Sequence, residues 1–413
     1  MKLLILTQYF PPETGAPQNR LFELALKLKE KGVEVEVLTA MPNYPMMEIF
    51  EEYRGKKWMI EDVQGVKVYR SSIYVTKSKG IIKRLMNYFS FVFSSYKRGR
   101  KLGKYDYLLC ESPPLFLGYS ATKLAKKLKA KLIFNVSDLW PESAEKLGIV
   151  SNKFFLNMAY NLEAKLYKKS FLVTGQTQGI VKSINERFPN VLTYWLPNGV
   201  DLKRYEPAKV SSAGFRKKYA IHEDETVFFY GGILGHAQGL EVIVHVANRL
   251  EDEKATFVLM GSGPEKEKLV ALKEQLALEN VIFADPVSRT EIGGVIKDID
   301  VSIVPLRKLE LFLGAIPSKI FEILAMEKPI LLGVNGEAKD LFIDQGKGGW
   351  HFEPEDLVDL ELKIREVLSS KEEIKVRGQN GRRFVAEKFN RQKIADEFYE
   401  HLLGMEKENE SNK

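Results

Sequence analysis

A single cysteine, Cys110, stands among 413 residues. No internal disulfide can form, and a zinc site built on thiolates is excluded. A reducing cytoplasm suits such a chain; a secreted scaffold stapled by disulfides does not. No stretch reaches the ~18 consecutive apolar residues of a membrane-crossing helix. The start, MKLLILTQYFPPE, does not read as a signal peptide, because Pro11, Pro12 and Glu13 stand where small residues would mark a cleavage site. Histidine is scarce as well. All five (His222, His236, His245, His351 and His401) fall after residue 200, which excludes a histidine base from the first domain. The G-x-G-x-x-G dinucleotide fingerprint is missing after the first predicted strand.

Apolar content of 45% and charged content of 28% are ordinary for a globular protein and exclude wholesale disorder. The length suggests two or three domains. The charge is uneven. Residues 1–200 hold 31 Lys and Arg against 17 Asp and Glu, a net +14; the remainder holds 31 against 38, a net −7. A strongly basic half implies an anionic partner: membrane headgroups, nucleic acid or a phosphorylated substrate.

Strands and helices alternate along the chain. Lys2–Thr7 is a continuous apolar run, as for a parallel strand covered on both faces. Asn19–Lys31 has helical spacing and ends at Gly32. Further strands are predicted at Val33–Thr39, Tyr105–Cys110, Leu132–Val136, Phe171–Thr174 and Leu192–Leu196, with helices between them. LPNGVD, Leu196–Asp201, breaks regular structure where the charge changes sign, so a domain boundary is placed there. The second half repeats the pattern from Val227 onward and closes with two or three amphipathic helices over Glu355–Leu403. The expected fold is α/β: two tandem doubly wound Rossmann-like domains facing across a cleft, with ligands at the carboxyl ends of the strands.

Several residues stand where such a fold places chemistry. Gly15 precedes a helix N-terminus that favours anions. Asp138 follows a strand end, where it can orient or deprotonate a hydroxyl or merely cap a turn. Gly232 and Gln238 lie in YGGILGHAQGLE, Tyr230–Glu241, a strand running through a Gly-rich loop into a helix, and Gly261 and Gly263 lie in a second such junction, GSGPE. Ser318 is expected to cap a helix whose first turn carries Lys319, a point charge for a diphosphate. Glu322 shares the face of Lys319 and suits a ribose diol. Asp298 and Asp300 have the spacing of a metal-binding pair but more simply end a helix and begin a buried strand. Lys77–Lys104 carries nine basic residues, Lys79 among them, and no acidic one. Aromatic and aliphatic residues interleave them, so a basic amphipathic helix at a membrane surface is expected, with Lys83, Arg84, Phe89, Lys97 and Arg98 as contact candidates. Its aromatic run covers too much circumference for one face, so part of it belongs to the core.

The chain resembles the family 4 glycosyltransferases of GT-B fold. The resemblance rests on GAP at Gly15–Pro17, DLWPE at Asp138–Glu142, LPNGVD, HAQGLE at His236–Glu241, GSGPE at Gly261–Glu265 and PSKIFEILAMEKPI at Pro317–Ile330. It is similar above all to bacterial enzymes of O-antigen and capsule synthesis, some of which transfer N-acetylfucosamine-type sugars. The resemblance implies an acceptor-binding domain over residues 1–200 and a nucleotide-sugar-binding domain over 201–390. A last helix near 391–403 would return to the first domain. It also implies a retaining transfer from a nucleotide sugar, usually a UDP-sugar, without an essential metal. With the basic segment, the expectation is an enzyme needing no cofactor, peripheral on the cytoplasmic face of the membrane, whose acceptor is a polyprenyl-diphosphate-linked saccharide, with no nucleic-acid partner. Asp138 and Lys319 become the catalytic candidates. The sequence departs from the family pattern at Ile233 and Gln238, where Arg and Lys are common, at Gly314, where the first of two Glu is common, and at Ser137, where His is common. The diphosphate charge then falls to Lys319, with Arg307 as a second candidate. Two alternatives remain at this point: a nucleotide-sugar 2-epimerase of the same fold, and a nucleic-acid-binding protein using the basic half.

Overall fold

The computed structural model describes residues 1–78 and 80–411. Lys79 of the basic segment lies outside them, as do Asn412 and Lys413 of the polar tail. The chain divides into two units, Met1–Asn198 with Arg391–Lys413, and Gly199–Asn390.

The N-terminal unit is built on eight strands: β1 (Lys2–Leu6), β2 (Glu34–Ala40), β3 (Trp58–Val63), β4 (Val66–Ser71), β5 (Tyr107–Ser112), β6 (Lys131–Val136), β7 (Leu172–Gly175) and β8 (Thr193–Trp195). They lie in the order β3-β4-β2-β1-β5-β6-β7-β8. All pairs are parallel except β3 with β4. The strand β1 shows why a run without alternation becomes a central strand. Leu3 and Ile5 enter one apolar layer, with Leu21 and Phe22 of helix α1 (Ala16–Glu30). Leu4 and Leu6 enter the opposite layer, with Phe91 and Phe116. A parallel sheet with both faces covered needs apolar residues at every position.

The helix Arg391–Ser411 packs on α1 within this unit. Ile394, Ala395 and Phe398 join the α1 layer, and Arg391 pairs with buried Glu23 while Lys31 pairs with Asp396 at 3.0 Å. One exclusion made from sequence is corrected by this return. His401, although late in the chain, belongs to the N-terminal unit, where its ring stacks on Tyr194 at 4.3 Å. Position along the chain does not decide which unit a residue serves when the terminus folds back.

Helix α2 (Ile81–Gly99) is the predicted basic helix, and it is split between core and surface. Phe91 and Val92 are buried, whereas Ile82, Met86 and Phe93 are exposed. Among the described residues no helix is long and apolar enough to cross a membrane.

The C-terminal unit carries β9 (Thr226–Ile233), β10 (Ala255–Ser262), β11 (Val281–Ala284), β12 (Val301–Pro305), β13 (Ile330–Gly333) and β14 (Gly349–His351). Their order is β11-β10-β9-β12-β13-β14, all parallel. Counted within the unit this is 3-2-1-4-5-6, the order of dinucleotide-binding sheets. The order reverses between β9 and β12, and ligands of such sheets bind outside the carboxyl ends of the strands at that reversal. In the N-terminal unit the same reversal falls between β1 and β5. Two short elements escape the sequence reading: the hairpin β3–β4, and β14.

Candidate functional site

The carboxyl end of β9 meets the start of the helix Lys319–Ala325. Tyr230 is buried, and its hydroxyl donates to the Ile233 carbonyl at 2.6 Å, which fixes the ring. The Lys319 ammonium lies 3.6 Å from the centre of that ring. A cation on a desolvated aromatic face gains about 2 kcal/mol. Among the described residues no carboxylate pairs with this ammonium. Burial alone pushes its pKa down from the lysine range to about 7. An anion arriving there would restore the charged form.

Gly232 leaves room for this arrangement. Its φ is +144°, and a side chain would stand 3.1 Å from the Lys319 Nζ. Gly261, directly opposite it in the β9–β10 register, has φ +150°, and an added Cβ would lie 1.8 Å from the Gly232 carbonyl oxygen. Gly263 approaches the Leu234 carbonyl in the same way, 2.3 Å from its would-be Cβ. These two glycines therefore serve backbone contact that supports the Gly232 loop, a structural use the sequence reading took for a second anion cradle.

Four other candidates gather nearby with differing roles. Glu322 is half-buried, three residues along from Lys319, and forms no ion pair with it. Gln238 ends the turn His236–Gln238 and is half-buried. Ser318 occupies the position before the helix but makes no side-chain capping bond; its backbone is already helical, which directs the hydroxyl away from the first amides. Arg307 is committed elsewhere. It pairs with Glu241 at 2.6 Å and Glu355 at 2.7 Å and donates to the His236 carbonyl at 2.7 Å. Its charge is compensated, so it braces the loop and is a poor source of free charge for a diphosphate.

The N-terminal unit holds a second group of candidates. Gly15 is extended, with φ 171°, so the loop does not require glycine for its backbone; the Gln18 amide, 2.4 Å from a would-be Cβ, is what a side chain would meet. The tight backbone turn that a glycine before a helix suggests is therefore absent at Gly15. Nearby Glu13 is buried and accepts from the backbone amides of Phe10, Asn43 and Tyr44 at 2.8–3.0 Å. Desolvation outweighs those bonds and raises its pKa to about 7. Nothing in PPET marked this residue.

A buried polar network, also unanticipated, closes the carboxyl ends of β5, β6 and β7. Arg20 from α1 donates to Glu111 at 2.7 Å and to Ser137 at 2.9 Å. Asn135 donates to Glu111 at 2.6 Å, Thr174 to Asn135 at 2.6 Å and Gln176 to Ser137 at 2.7 Å. Arg20 and Glu111 are both almost fully buried.

Asp138 follows β6 and lines a cavity of about 240 Å³. It accepts from Ser143 at 2.6 Å, and desolvation by its apolar surroundings holds its pKa above the ordinary carboxylate value. The membrane candidates divide. Lys83, Arg84 and Lys97 are exposed. Phe89 packs on Phe116 at 5.0 Å, and Arg98 lies over the Trp58 ring at 5.4 Å, so these two are tied to the body of the unit. That corrects their assignment as free surface contacts.

Asp298 and Asp300 hold structure, accepting from Ser212 and Phe215 and from Arg216 and Val227 respectively. Among the described residues no cluster of three His, Cys, Asp or Glu is placed to hold a metal.

Two Rossmann-like units, the second in dinucleotide-binding order with a half-buried lysine at its switch point, define a fold of the GT-B type. Residues 212–384, within the C-terminal unit, match the family model described as glycosyl transferases group 1. The chain is 26% identical over 333 residues to WcaI of Escherichia coli (strain K12), which bears the name of a colanic acid biosynthesis glycosyl transferase; the match covers 79% of this chain and 81% of WcaI. It is 25% identical over 300 residues to WbjE of Pseudomonas aeruginosa, named as a glycosyltransferase, covering 70% of this chain and 73% of that protein. Among solved structures it resembles Anabaena HepE in complex with UDP and glucose. The TM-score is 0.73 at 17% identity, covering 98% of this chain and 100% of that one, a likeness of fold.

Proposed function

We propose that this chain is a retaining glycosyltransferase that moves a sugar, an N-acetylhexosamine or its 6-deoxy form, from a UDP-sugar to a lipid-diphosphate-linked acceptor in synthesis of a bacterial surface polysaccharide. The observation that carries this reading is the Lys319 ammonium beside Gly232 at the switch point of the sheet, with no carboxylate paired to it among the described residues. It is supported by the group 1 domain, by the names of WcaI and WbjE, and by the UDP bound to HepE, a protein of like fold.

In this reading Lys319 meets the diphosphate of the donor and stabilises the charge that grows on it as the glycosidic bond breaks. Glu322 accepts the ribose hydroxyls. The bond from the anomeric carbon to the diphosphate oxygen breaks, and the bond to the acceptor oxygen forms on the same face. The acceptor proton passes to the departing diphosphate, so no strong protein base is required. Asp138 orients the acceptor hydroxyl through a hydrogen bond. No metal or other cofactor is invoked. The basic N-terminal unit, with Lys83, Arg84 and Lys97 on its surface, meets an anionic leaflet.

The test is mass spectrometry of lipids from anionic vesicles carrying a polyprenyl-diphosphate sugar, after incubation with protein and a panel of UDP-sugars. The acceptor should gain the mass of one sugar with one donor, and the protein should sediment with the vesicles. No gain with any donor would refute transfer. Interconversion of the UDP-sugars without acceptor would point to an epimerase.

A further inference from the structure

The cavity beside Asp138 has a composition that glycosyl transfer by itself does not explain. It lies within the N-terminal unit beyond the carboxyl ends of β5 and β6; Pro113 and Pro114, just after β5, and Asp138, just after β6, form part of its wall. Most of its other lining is apolar, including Leu85 and Tyr88 from α2 and Phe116, Trp140, Val150 and Phe155, with Ser143 a polar member. The aromatic side chains pack on one another, Phe116 against Trp140 at 5.4 Å and Phe155 against Phe116 at 6.1 Å. At about 240 Å³ it falls below the ~300–1,000 Å³ of sites that enclose a whole drug-sized ligand. It is sized for a segment of a larger molecule. Asp138, Ser143, Tyr88 and Arg84 are the polar groups in its lining, so a saccharide filling it would leave hydroxyls beyond their reach without partners against the apolar walls, a cost of about 1–3 kcal/mol each. The segment it favours is therefore apolar.

Two further features say what that segment is attached to. Arg84 lines the cavity with an exposed guanidinium that pairs with no carboxylate among the described residues, and exposed Lys83 stands next to it. An anion complements that edge. Two lining residues, Leu147 and Ile149, are themselves 37% and 60% exposed. Exposed Met86 and Phe154 adjoin the lining residues Leu85 and Phe155 in the chain. The apolar surface thus continues from the interior onto the outside, as it must where a chain passes out toward a membrane interface.

We propose that this cavity holds the isoprenoid segment of the lipid-linked acceptor nearest its diphosphate, with the Arg84 guanidinium against that diphosphate. The assignment rests on the glycosyl-transfer reading for the identity of the lipid. Asp138, on the same wall, faces the first saccharide.

Calorimetric titration of the full-length protein with farnesyl diphosphate, farnesol and inorganic diphosphate tests this. Farnesyl diphosphate should bind at least tenfold more tightly than inorganic diphosphate. Ala144→Leu, which fills the cavity from a buried lining position, should weaken farnesyl diphosphate and farnesol at least tenfold. Arg84→Gln, at an exposed position that leaves folding intact, should weaken farnesyl diphosphate about tenfold and leave farnesol unchanged. Equal affinity for inorganic and farnesyl diphosphate would make this a free-anion site and overturn the proposal. So would farnesyl diphosphate binding indifferent to both substitutions, or self-association on sedimentation that Ala144→Leu abolishes, which would assign the rim to a second protein molecule. UDP titration of the same samples separates the two readings. Wild-type protein that binds UDP but not farnesyl diphosphate loses only the cavity assignment. Protein that binds farnesyl diphosphate as described but not UDP keeps the cavity and loses the transfer reaction.

Discussion

Lys319→Ala reduces sugar transfer by at least a hundredfold while the protein stays folded. Loss of one preorganised group at a site of developing charge costs about 10²–10³ in rate. Here the group is the cation at the switch point that no carboxylate among the described residues neutralises. The fold tolerates the change because burial works against the lysine in the free protein. Its folded pKa is about 7, below the ordinary 10.5. The unfolded chain thus binds more protons between those values, and stability rises with pH across that window. The burial penalty is largest below about pH 7, so removing the ammonium relieves it there. Nucleotide binding has the opposite trend. A diphosphate favours the charged lysine, so binding takes up a proton above pH 7, and UDP affinity should fall by up to tenfold per pH unit from about 7 upward. In Lys319→Ala that slope should vanish. Wild-type activity in the variant, or an unchanged pH slope, would remove Lys319 from the reaction.

Arg20→Met is expected to be the most destabilising of the substitutions considered, and its effect should be on folding of the N-terminal unit. Removing one member of a buried ion pair leaves the other charge uncompensated, at about 3–5 kcal/mol. Glu111 would keep the hydrogen bonds from Asn135 and Ser137 but lose its only buried cation among the described residues. Adding Glu111→Gln should restore part of the loss, because the amide carries no charge to strand. Urea unfolding followed by tryptophan fluorescence reads this unit well, since Trp58, Trp140 and Trp195 all lie in it and only Trp350 does not. A loss under 1 kcal/mol would show that the network is not the clamp described.

The sequence made the parallel strands legible because burial on both faces leaves a run without alternation, as in KLLIL and VSIVP. The hairpin was missed although its signal was present: Gln64 and Gly65, both at positive φ, form a two-residue connection between β3 and β4. The three-residue β14 begins with glycine and carries too little pattern to find. Gly232, Lys319 and Glu322 were legible because a strand, a Gly-rich loop and a charged first turn are local features. The Tyr230 ring beneath Lys319 was not, since a buried tyrosine in a strand looks like any core residue until the helix is placed over it. Arg20 and Glu111 stand 91 residues apart, and only the fold joins them. Phe89 and Arg98 were misassigned for the same reason: composition marks a basic aromatic helix but does not say which side meets the core.

The most direct measurement is a crystal structure of the protein soaked with UDP. The diphosphate should contact the Lys319 ammonium beside Gly232, with the ribose hydroxyls on Glu322. Nucleotide lodged in the N-terminal unit, or in the C-terminal unit away from residues 232–239 and 318–322, would contradict the account.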